Sequence, residues 1–299
     1  MRRLVLALAL LLGVAGLVAP EARAQIQARS APAEVKVHTE LPKVATTGKA
    51  ARARAKDPRI EAFRQEYLKK ARAGTLGRVS PEKQAFERRL AVIAARVSRA
   101  LRASGDDRPI LVILEGPDGV GKSSTIRRLE RAFAGVREVV QTHFGAPPAN
   151  AEEVHWTKRF FNALPRKGTV AFWDRSYYGR AVYDPYYGLA DAKATQRTLE
   201  EIAHLEGLLA DKVRVVKFYI GASGDRLAKT IAKREVTAPE KLTESDYTTF
   251  ADRKVIRKYF RRAIEATGGA IPWHLVDMDD RGAGREKMLK VLEKELGGR

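Results

Sequence analysis

The fold of this chain is decided at residues 113–129, which read ILEGPDGVGKSSTIRRL. Four of these residues satisfy the pattern G-x-x-x-x-G-K-S/T, namely Gly116, Gly121, Lys122 and Ser123. The glycines let successive backbone N–H groups point at one anion, and a following helix adds the positive end of its dipole. An apolar run precedes the pattern and a helical segment follows it. The stretch therefore predicts a phosphate-binding loop between a strand and a helix.

The polar residues of the loop carry separate predictions. Lys122 provides a point charge for the phosphates of a nucleotide or an equivalent polyanion, and the Ser123 hydroxyl is a predicted ligand of Mg2+. Asp118 is a poor choice for binding an anion alone, so it predicts a metal or an acceptor group beside the loop. The alternative is a turn residue, since Pro117-Asp118-Gly119 is good turn chemistry. The predicted phosphate-binding set is Gly116, Gly119, Gly121, Lys122, Ser123 and Ser124.

Around the loop, strand-like apolar runs alternate with helical segments. The predicted strands are residues 109–115, 137–144, 168–174, 212–221 and 272–278. The predicted helices are residues 60–73, 80–104, a segment from 123, 152–164, 193–211, 223–235, 244–266 and 284–296. This alternation predicts βαβ units, and hence an α/β fold whose central parallel five-stranded sheet is covered by helices on both faces.

A second carboxylate follows the third predicted strand, which ends at Asp174 and continues as DRSYYGR. The C-terminal end of a buried strand is where open α/β sheets bind ligands. Asp174 is therefore a predicted magnesium partner, and Arg175 and Arg180 are predicted to neutralise charge on a transferring phosphoryl group. The alternative is a helix N-terminus followed by ordinary surface arginines.

Basic residues concentrate between the fourth and fifth strands, where residues 225–247 read DRLAKTIAKREVTAPEKLTESDY. Lys229, Lys233 and Arg234 fall broadly on one side of a predicted helix. Lys241 follows the break, and Thr243 is a predicted N-cap of the next helix. This arrangement predicts a lid that excludes water and brings positive charge to bound phosphates. A solvated basic face is the alternative.

The composition limits which binding partners and which kinds of site the chain can have. The 299 residues carry a formal net charge of +20, which favours polyanions. The absence of cysteine excludes disulfides, thiolate metal sites and cysteine nucleophiles. The five histidines are scattered without metal-ligand spacing.

The N-terminus reads as an export signal. Arg2 and Arg3 precede an apolar run over residues 4–18, and residues 22–24 read Ala-Arg-Ala. This pattern predicts a signal peptide over residues 1–24, cleavage after Ala24 and a periplasmic protein without a stable membrane span. An uncleaved signal anchor is the alternative, although the run is short for a membrane span. Residues 25–58 are predicted as a disordered basic linker, and residues 59–299 as a single domain.

Four stretches together resemble the polyphosphate kinase 2 family, here as an exported variant. The likeness runs from about residue 60 to the C-terminus. The stretches are EGPDGVGKSS (115–124), LPRKGTVAFWDRSYYGRAVYD (164–184), KFYIGASGDRLAKTIAKREVTAPEKLTESDY (217–247) and EATGGAIPWHLVDMDDRGAGREKML (265–289). The phosphate loop alone is not specific to this family, whereas the other three stretches are much more so.

The resemblance implies a P-loop kinase-like three-layer sandwich with a helical lid. It implies transfer of a terminal phosphate between inorganic polyphosphate and a nucleotide, with Mg2+ near Asp118 and Asp174. Lys122 would hold the nucleotide's phosphates. The residues implied to meet phosphates or the polyphosphate chain are Arg175, Arg180, Lys233, Arg234 and Lys241. The lid departs from the family pattern, because it is shorter after Pro239 and lacks a Trp-Lys pair there.

Two other functions stay open at this stage. One is a nucleoside monophosphate kinase of the thymidylate type, which has a similar loop and a similar Asp-Arg strand end. The other is an inactive exported protein that binds polyphosphate or another polyanion. The sequence predicts no specific nucleic-acid partner, and it leaves open the favoured base, the direction of transfer and a homo-oligomer.

Overall fold

The structure is a computed structural model that describes residues 57–76, 80–147 and 154–297, together with the single residue Gly48. The predicted signal peptide and most of the predicted linker lie outside the described residues. No helix within the described ranges is both long enough and apolar enough to cross a membrane.

A five-stranded parallel sheet forms the centre of the molecule, with the strand order β2-β3-β1-β4-β5. The strands are β1 (Ile110–Glu115), β2 (Glu138–His143), β3 (Thr169–Asp174), β4 (Arg214–Gly221) and β5 (Trp273–Asp277). Every residue of β1 and β3 is buried, because helices cover both faces of a parallel sheet. The pairing of Leu114 with Asp174 brings the phosphate loop beside the end of β3.

Ten α-helices in the described ranges cover this sheet. They are α1 (Pro58–Arg72), α2 (Pro81–Ser104), α3 (Lys122–Leu129), α4 (Lys158–Phe161), α5 (Tyr178–Tyr186), α6 (Ala192–Ala210), α7 (Gly224–Thr237), α8 (Glu244–Ala251), α9 (Arg253–Thr267) and α10 (Arg281–Leu296). Helices α1, α2, α3, α7, α8 and α10 bury side chains in one apolar cluster, and α4, α5, α6 and α9 in a second. The expected three-layer α/β architecture is confirmed.

Helix α2 shows how local sequence and packing agree. Ser80 caps it by accepting a hydrogen bond from the Lys83 N–H at 3.3 Å, and Pro81 occupies its first turn. The residues expected to line its apolar stripe do so. Leu90, Ile93, Val97 and Leu101 are buried, and Phe86 packs at the edge of the same cluster.

Three segments differ from the sequence prediction. The helix predicted over 152–164 is a single turn, Lys158–Phe161, in the described part of that range. Helix α5 was not predicted, although its buried residues Tyr178, Ala181 and Val182 follow helical spacing. The helix predicted over 244–266 is two helices that meet at Asp252.

The break at Asp252 has a packing cause. Tyr247 and Phe250 on α8 belong to the first apolar cluster, whereas Ile256 and Phe260 on α9 belong to the second. One uninterrupted helix would have to reach both clusters, so the chain ends α8 and begins α9 at Asp252, whose φ of −91° and ψ of 15° lie outside the helical range.

Candidate active site

A cleft of about 1280 Å³ opens at the edge where the parallel strands end. The phosphate loop forms its floor, the residues after β2 and β3 form one wall, and α7 and α8 form the other. This is the edge at which open α/β sheets bind ligands. Every non-glycine residue named in the sequence prediction lies in this cleft: Asp118, Lys122, Ser123, Ser124, Asp174, Arg175, Arg180, Lys233, Arg234 and Lys241.

The glycines give the loop its shape. Gly116, Gly119 and Gly121 have φ angles of 146°, 78° and 105°. Residues with a Cβ rarely adopt such angles. Gly116 is restricted a second time, because a Cβ there would lie 2.2 Å from the carbonyl oxygen of Ile220 on β4. The loop can therefore wrap closely over the sheet only with glycine at this position.

Lys122 lies folded into the loop it belongs to. Its Nζ donates hydrogen bonds to the carbonyl oxygens of Gly116 at 2.9 Å and Pro117 at 3.0 Å. Burial lowers the pKa of Lys122, and the nearby charge of Arg175 adds to this effect. Carbonyl oxygens compensate a buried ammonium only partly, so an anion entering the loop gives this cation a stronger partner.

Ser123 and Asp174 meet at the first turn of α3. The Ser123 hydroxyl donates to Oδ2 of Asp174 at 2.6 Å. The Oδ1 atom of Asp174 is buried and has no hydrogen-bond partner in the described part of the chain. A buried, unpartnered carboxylate oxygen beside a serine hydroxyl is a donor set suited to a hard cation such as Mg2+.

Asp118 forms an ion pair with Arg175, which links the phosphate loop to the end of β3. Ser245 of α8 donates to the other carboxylate oxygen of Asp118 at 3.3 Å. Burial would raise the pKa of Asp118, but the charges of Arg175 and Lys122 outweigh it and lower the pKa. The carboxylate predicted beside the metal thus also holds an arginine in position.

Arg175 occupies an unusual backbone conformation. It has a φ of 68°, the only positive φ of a non-glycine residue in the described ranges. Its N–H donates to the Leu114 carbonyl at 3.0 Å, and its guanidinium lies 4.7 Å above the ring of Tyr183. Strained residues of this kind persist where the surroundings hold them, and they cluster at functional sites.

The basic residues of the predicted lid lie along the wall formed by α7 and α8. Arg234 of α7 forms an ion pair with Asp246 of α8 at 2.9 Å. Asp246 also completes the capping box of α8, accepting from the Thr243 N–H at 2.9 Å. Thr243 is thereby confirmed as the N-cap. Lys233 and Lys241 line the cleft, and no ion pair with a described carboxylate holds either of them.

Arg281 lines the cleft but was not among the predicted site residues, although it lies in the last of the four stretches that resemble the family. The Nη2 atom of Arg281, the first residue of α10, donates to the carbonyl of Gly119 at 3.0 Å and to Thr230 at 2.9 Å. Burial, reinforced by the nearby arginines 226 and 234, lowers the pKa of Arg281 to about 10. Arg281 follows the fifth strand, so its end-of-strand position could have flagged it.

Glu115 was also missed. It ends β1 just before the loop, is fully buried, and accepts a hydrogen bond from Ser176 at 2.8 Å. Burial raises its pKa to about 7. Glu115 reads in sequence as the last residue of a strand, and only the pairing of β1 with β3 brings Ser176 to it.

The model of the family "Polyphosphate kinase 2 (PPK2)" matches residues 80–298. The chain is 26% identical over 219 residues to a polyphosphate:AMP phosphotransferase of Pseudomonas syringae pv. tomato, covering 72% of this chain but 44% of that protein. It is 28% identical over 226 residues to an AMP/ADP-polyphosphate phosphotransferase of Meiothermus ruber, covering 72% and 83%. The chain spans less than half the length of the first of these relatives.

Solved structures agree with the sequence comparison. The crystal structure of polyphosphate kinase 2 from Arthrobacter aurescens TC1 superposes with a TM-score of 0.63 at 26% identity, covering 70% of this chain and 77% of that one. A putative polyphosphate kinase 2 from Pseudomonas aeruginosa gives 0.66 at 25% identity, covering 74% and 48%. The expected family and the P-loop kinase-like fold are confirmed: the chain belongs to the polyphosphate kinase 2 family.

Proposed function

We propose that this chain transfers a terminal phosphoryl group between inorganic polyphosphate and a nucleotide. The observation that carries the proposal is the convergence of Lys122, the Asp118–Arg175 ion pair and the lid cations on one cleft. Such a cleft suits two polyanionic reactants, because phosphoryl transfer depends mostly on positioning and on neutralising charge. The relatives named as polyphosphate phosphotransferases support the same class of reaction.

The phosphate loop binds one reactant. Residues 119 and 121–124 line the cleft at the N-terminus of α3, where their backbone N–H groups donate hydrogen bonds to a bound phosphate. Lys122 exchanges its bonds to the Gly116 and Pro117 carbonyls for bonds to phosphate oxygens. Until a phosphate binds, these two carbonyl oxygens hold the Lys122 ammonium group beside the loop.

Two arginines of the wall that follows β3 meet the transferring group. Arg175 forms an ion pair with Asp118, and Arg180 forms one with Asp184 at 2.9 Å. Both guanidinium groups retain donors beyond those their carboxylates use. A phosphate acceptor is already anionic, so the reaction needs no general base, and Asp118 acts by orienting Arg175.

The proposed metal is Mg2+, held by Ser123 and Asp174. The support is the pairing of these two side chains and the unpartnered Oδ1 of Asp174. When bound, the ion neutralises charge on the phosphates. Asp118 is less suited to direct ligation, because Arg175 and Ser245 already engage its two oxygens.

The decisive experiment uses the purified chain with Mg2+, long-chain polyphosphate and AMP, ADP or GDP. Formation of the next higher nucleotide is expected. Lys122→Ala and Asp174→Asn are each expected to lower kcat/KM by about 100-fold or more, the usual loss for one charge-stabilising group. Lys193→Ala, an exposed lysine of α6, is the control and should leave turnover unchanged. Thymidylate phosphorylation from ATP, with no product from polyphosphate, would refute the proposal.

We also propose that the protein acts outside the cytoplasm, on the strength of the pattern in residues 1–24. Mass spectrometry of the protein from a periplasmic fraction should give an N-terminus at Gln25. An N-terminus at Met1 in that fraction would contradict cleavage after Ala24 and favour an uncleaved signal anchor.

A further inference from the structure

The outward face of α9 is an unusually basic surface. Successive turns place Lys254, Lys258 and Arg261 on the solvent side, and Arg257 flanks them. The opposite face buries Ile256 and Phe260, which fixes the rotation of the helix. We call the set of Lys254, Arg257, Lys258 and Arg261 the α9 cation row; its four side chains belong to exposed residues.

The cation row has little internal compensation. Across the described ranges, no carboxylate lies within 4.0 Å of the charged nitrogens of Lys254, Lys258 or Arg261. Among the described residues, Arg257 donates a side-chain hydrogen bond only to the carbonyl of Ala222, at 3.1 Å. Residues three or four apart on a helix are neighbours, so the like charges of the row repel each other. The row weakens the helix that carries it, which points to an anion outside the chain.

The row begins beside the cleft. Asp252, which precedes α9, accepts a hydrogen bond from the Tyr186 hydroxyl at 2.7 Å. The next residue, Tyr187, lines the cleft and is 55% exposed. On the other side, Arg253 donates to the carbonyl of Phe250 in the lid helix α8 at 2.9 Å. Helix α9 therefore starts at the cleft rim, between α5 and the lid.

We propose that the α9 cation row binds the part of a long inorganic polyphosphate chain that extends beyond the cleft. This inference rests on the proposed function, which places one end of the same polyanion inside the cleft. Lys254 and Arg261 are seven residues apart, which spans about 10 Å of helix. A linear polyanion leaving past Tyr187 meets an uncompensated charge on every turn along that length. A short chain that ends within the cleft does not reach the row.

The test compares two variants that each lose three charges. The row variant carries Lys254→Gln, Lys258→Gln and Arg261→Gln. The control variant carries Arg88→Gln, Arg99→Gln and Lys294→Gln, which are exposed positions on the opposite layer of the molecule. Each is assayed with short-chain and long-chain polyphosphate, and long-chain binding is measured separately by titration at several salt concentrations.

The row variant should keep kcat and the KM for short chains, while its KM for long chains rises about tenfold, as expected for the loss of several phosphate contacts. The slope of log K against log salt for long-chain binding should fall by about 2. The control variant should match the wild type in every measurement, and the row variant should unfold at the same or a higher temperature. Unchanged long-chain KM and salt slope in the row variant would overturn the inference.

The binding arm separates this inference from the proposed function. If no nucleotide is phosphorylated, the proposed function fails, yet a row-dependent salt slope for long chains would still support the row. If turnover is normal while the row variant binds long chains as the wild type does, the row inference alone fails. Row-dependent binding of single-stranded nucleic acid, without any effect on polyphosphate, would also overturn it.

Discussion

At the scale of single residues, Gly116 has the narrowest tolerance in the loop. Gly116→Ala would force a Cβ to within 2.2 Å of the Ile220 carbonyl oxygen at a φ of 146°. We expect this change to lower the free energy of unfolding by about 3 kcal/mol, from strain and overpacking together. Urea unfolding measures it. Gly135→Ala is the control, because Gly135 has a φ of 72° with open space around it and tests strain alone. Equal losses in the two variants would show that the close approach to β4 has no cost.

Glu115 predicts a pH dependence of stability. Burial raises its pKa from 4.5 to about 7. The folded protein therefore holds the proton more tightly than the unfolded chain does. The contribution of Glu115 is complete below about pH 4.5 and is lost as the pH rises to about 7. Glu115→Gln, which keeps a carbonyl for Ser176, removes this dependence.

The measurement is the difference in unfolding free energy between the wild type and Glu115→Gln at several pH values. The wild type should lose about 3 kcal/mol relative to the variant between pH 4.5 and 7, from the size of the pKa shift. Titrations of groups that do not interact with Glu115 cancel in this difference. A difference that stays constant over that range would contradict the assignment.

At the scale of elements, a buried ion pair joins β4 to α6. Lys217 donates to Glu206, to the Tyr178 hydroxyl at 2.9 Å and to the Thr267 carbonyl at 2.9 Å. Glu206 also accepts from the hydroxyl of Tyr177 at 2.9 Å. The tyrosines directly follow the Asp174–Arg175–Ser176 corner. The network therefore stabilises the segment that follows β3, next to Asp174 of the site.

Lys217→Met should be severely destabilising, because it leaves the Glu206 charge buried without its cation. The expected loss is about 3–5 kcal/mol, as for other broken buried pairs. The double variant Lys217→Met with Glu206→Gln removes both charges and should be at least 1 kcal/mol more stable than the two single losses added together. Chemical unfolding of the four proteins gives this coupling energy. Strict additivity would mean that the two charges do not stabilise each other.

At the scale of the whole molecule, α1 packs against the first apolar cluster although the family match begins at residue 80. Ile60 and Leu68 are buried, and Arg64 lies 3.8 Å from the buried carboxylate of Glu235 on α7. Tyr67 lines the cleft. Helix α1 therefore packs against α7 and contributes Tyr67 to the cleft.

Two truncations test the role of α1. A chain that begins at Asp57, the N-cap of α1, should unfold within a few degrees of the full chain. A chain that begins at Ser80 loses two buried aliphatic side chains and should lose about 4 kcal/mol or more of stability. Thermal unfolding of the three chains measures this. Equal unfolding temperatures for the two truncations would show that α1 is dispensable.

The sequence by itself determined the layered α/β fold and the floor of the site. The strand runs, the glycines of the loop and the carboxylate at the end of β3 are local signals, since each depends on residue types at a fixed spacing. Placing Lys122, Ser123 and Asp174 together required only the rule that parallel strands end at one edge. The break at Asp252 was missed because its cause is packing against two different clusters rather than local propensity. Helix α5 was missed although the helical spacing of Tyr178, Ala181 and Val182 is present in the sequence.

Only the tertiary structure decided which charges meet. Asp118 and Arg175 are 57 residues apart, and Arg281 lies 162 residues from the loop carbonyl it binds. Glu115 and Lys217 look like ordinary strand residues in the sequence, yet the fold buries both and brings partners from distant elements. Ion pairs and pKa shifts depend on distance and burial, which the chain acquires only when it folds. The gathering of the predicted site residues in one cleft therefore followed from the sequence, and their ion pairs and pKa shifts did not.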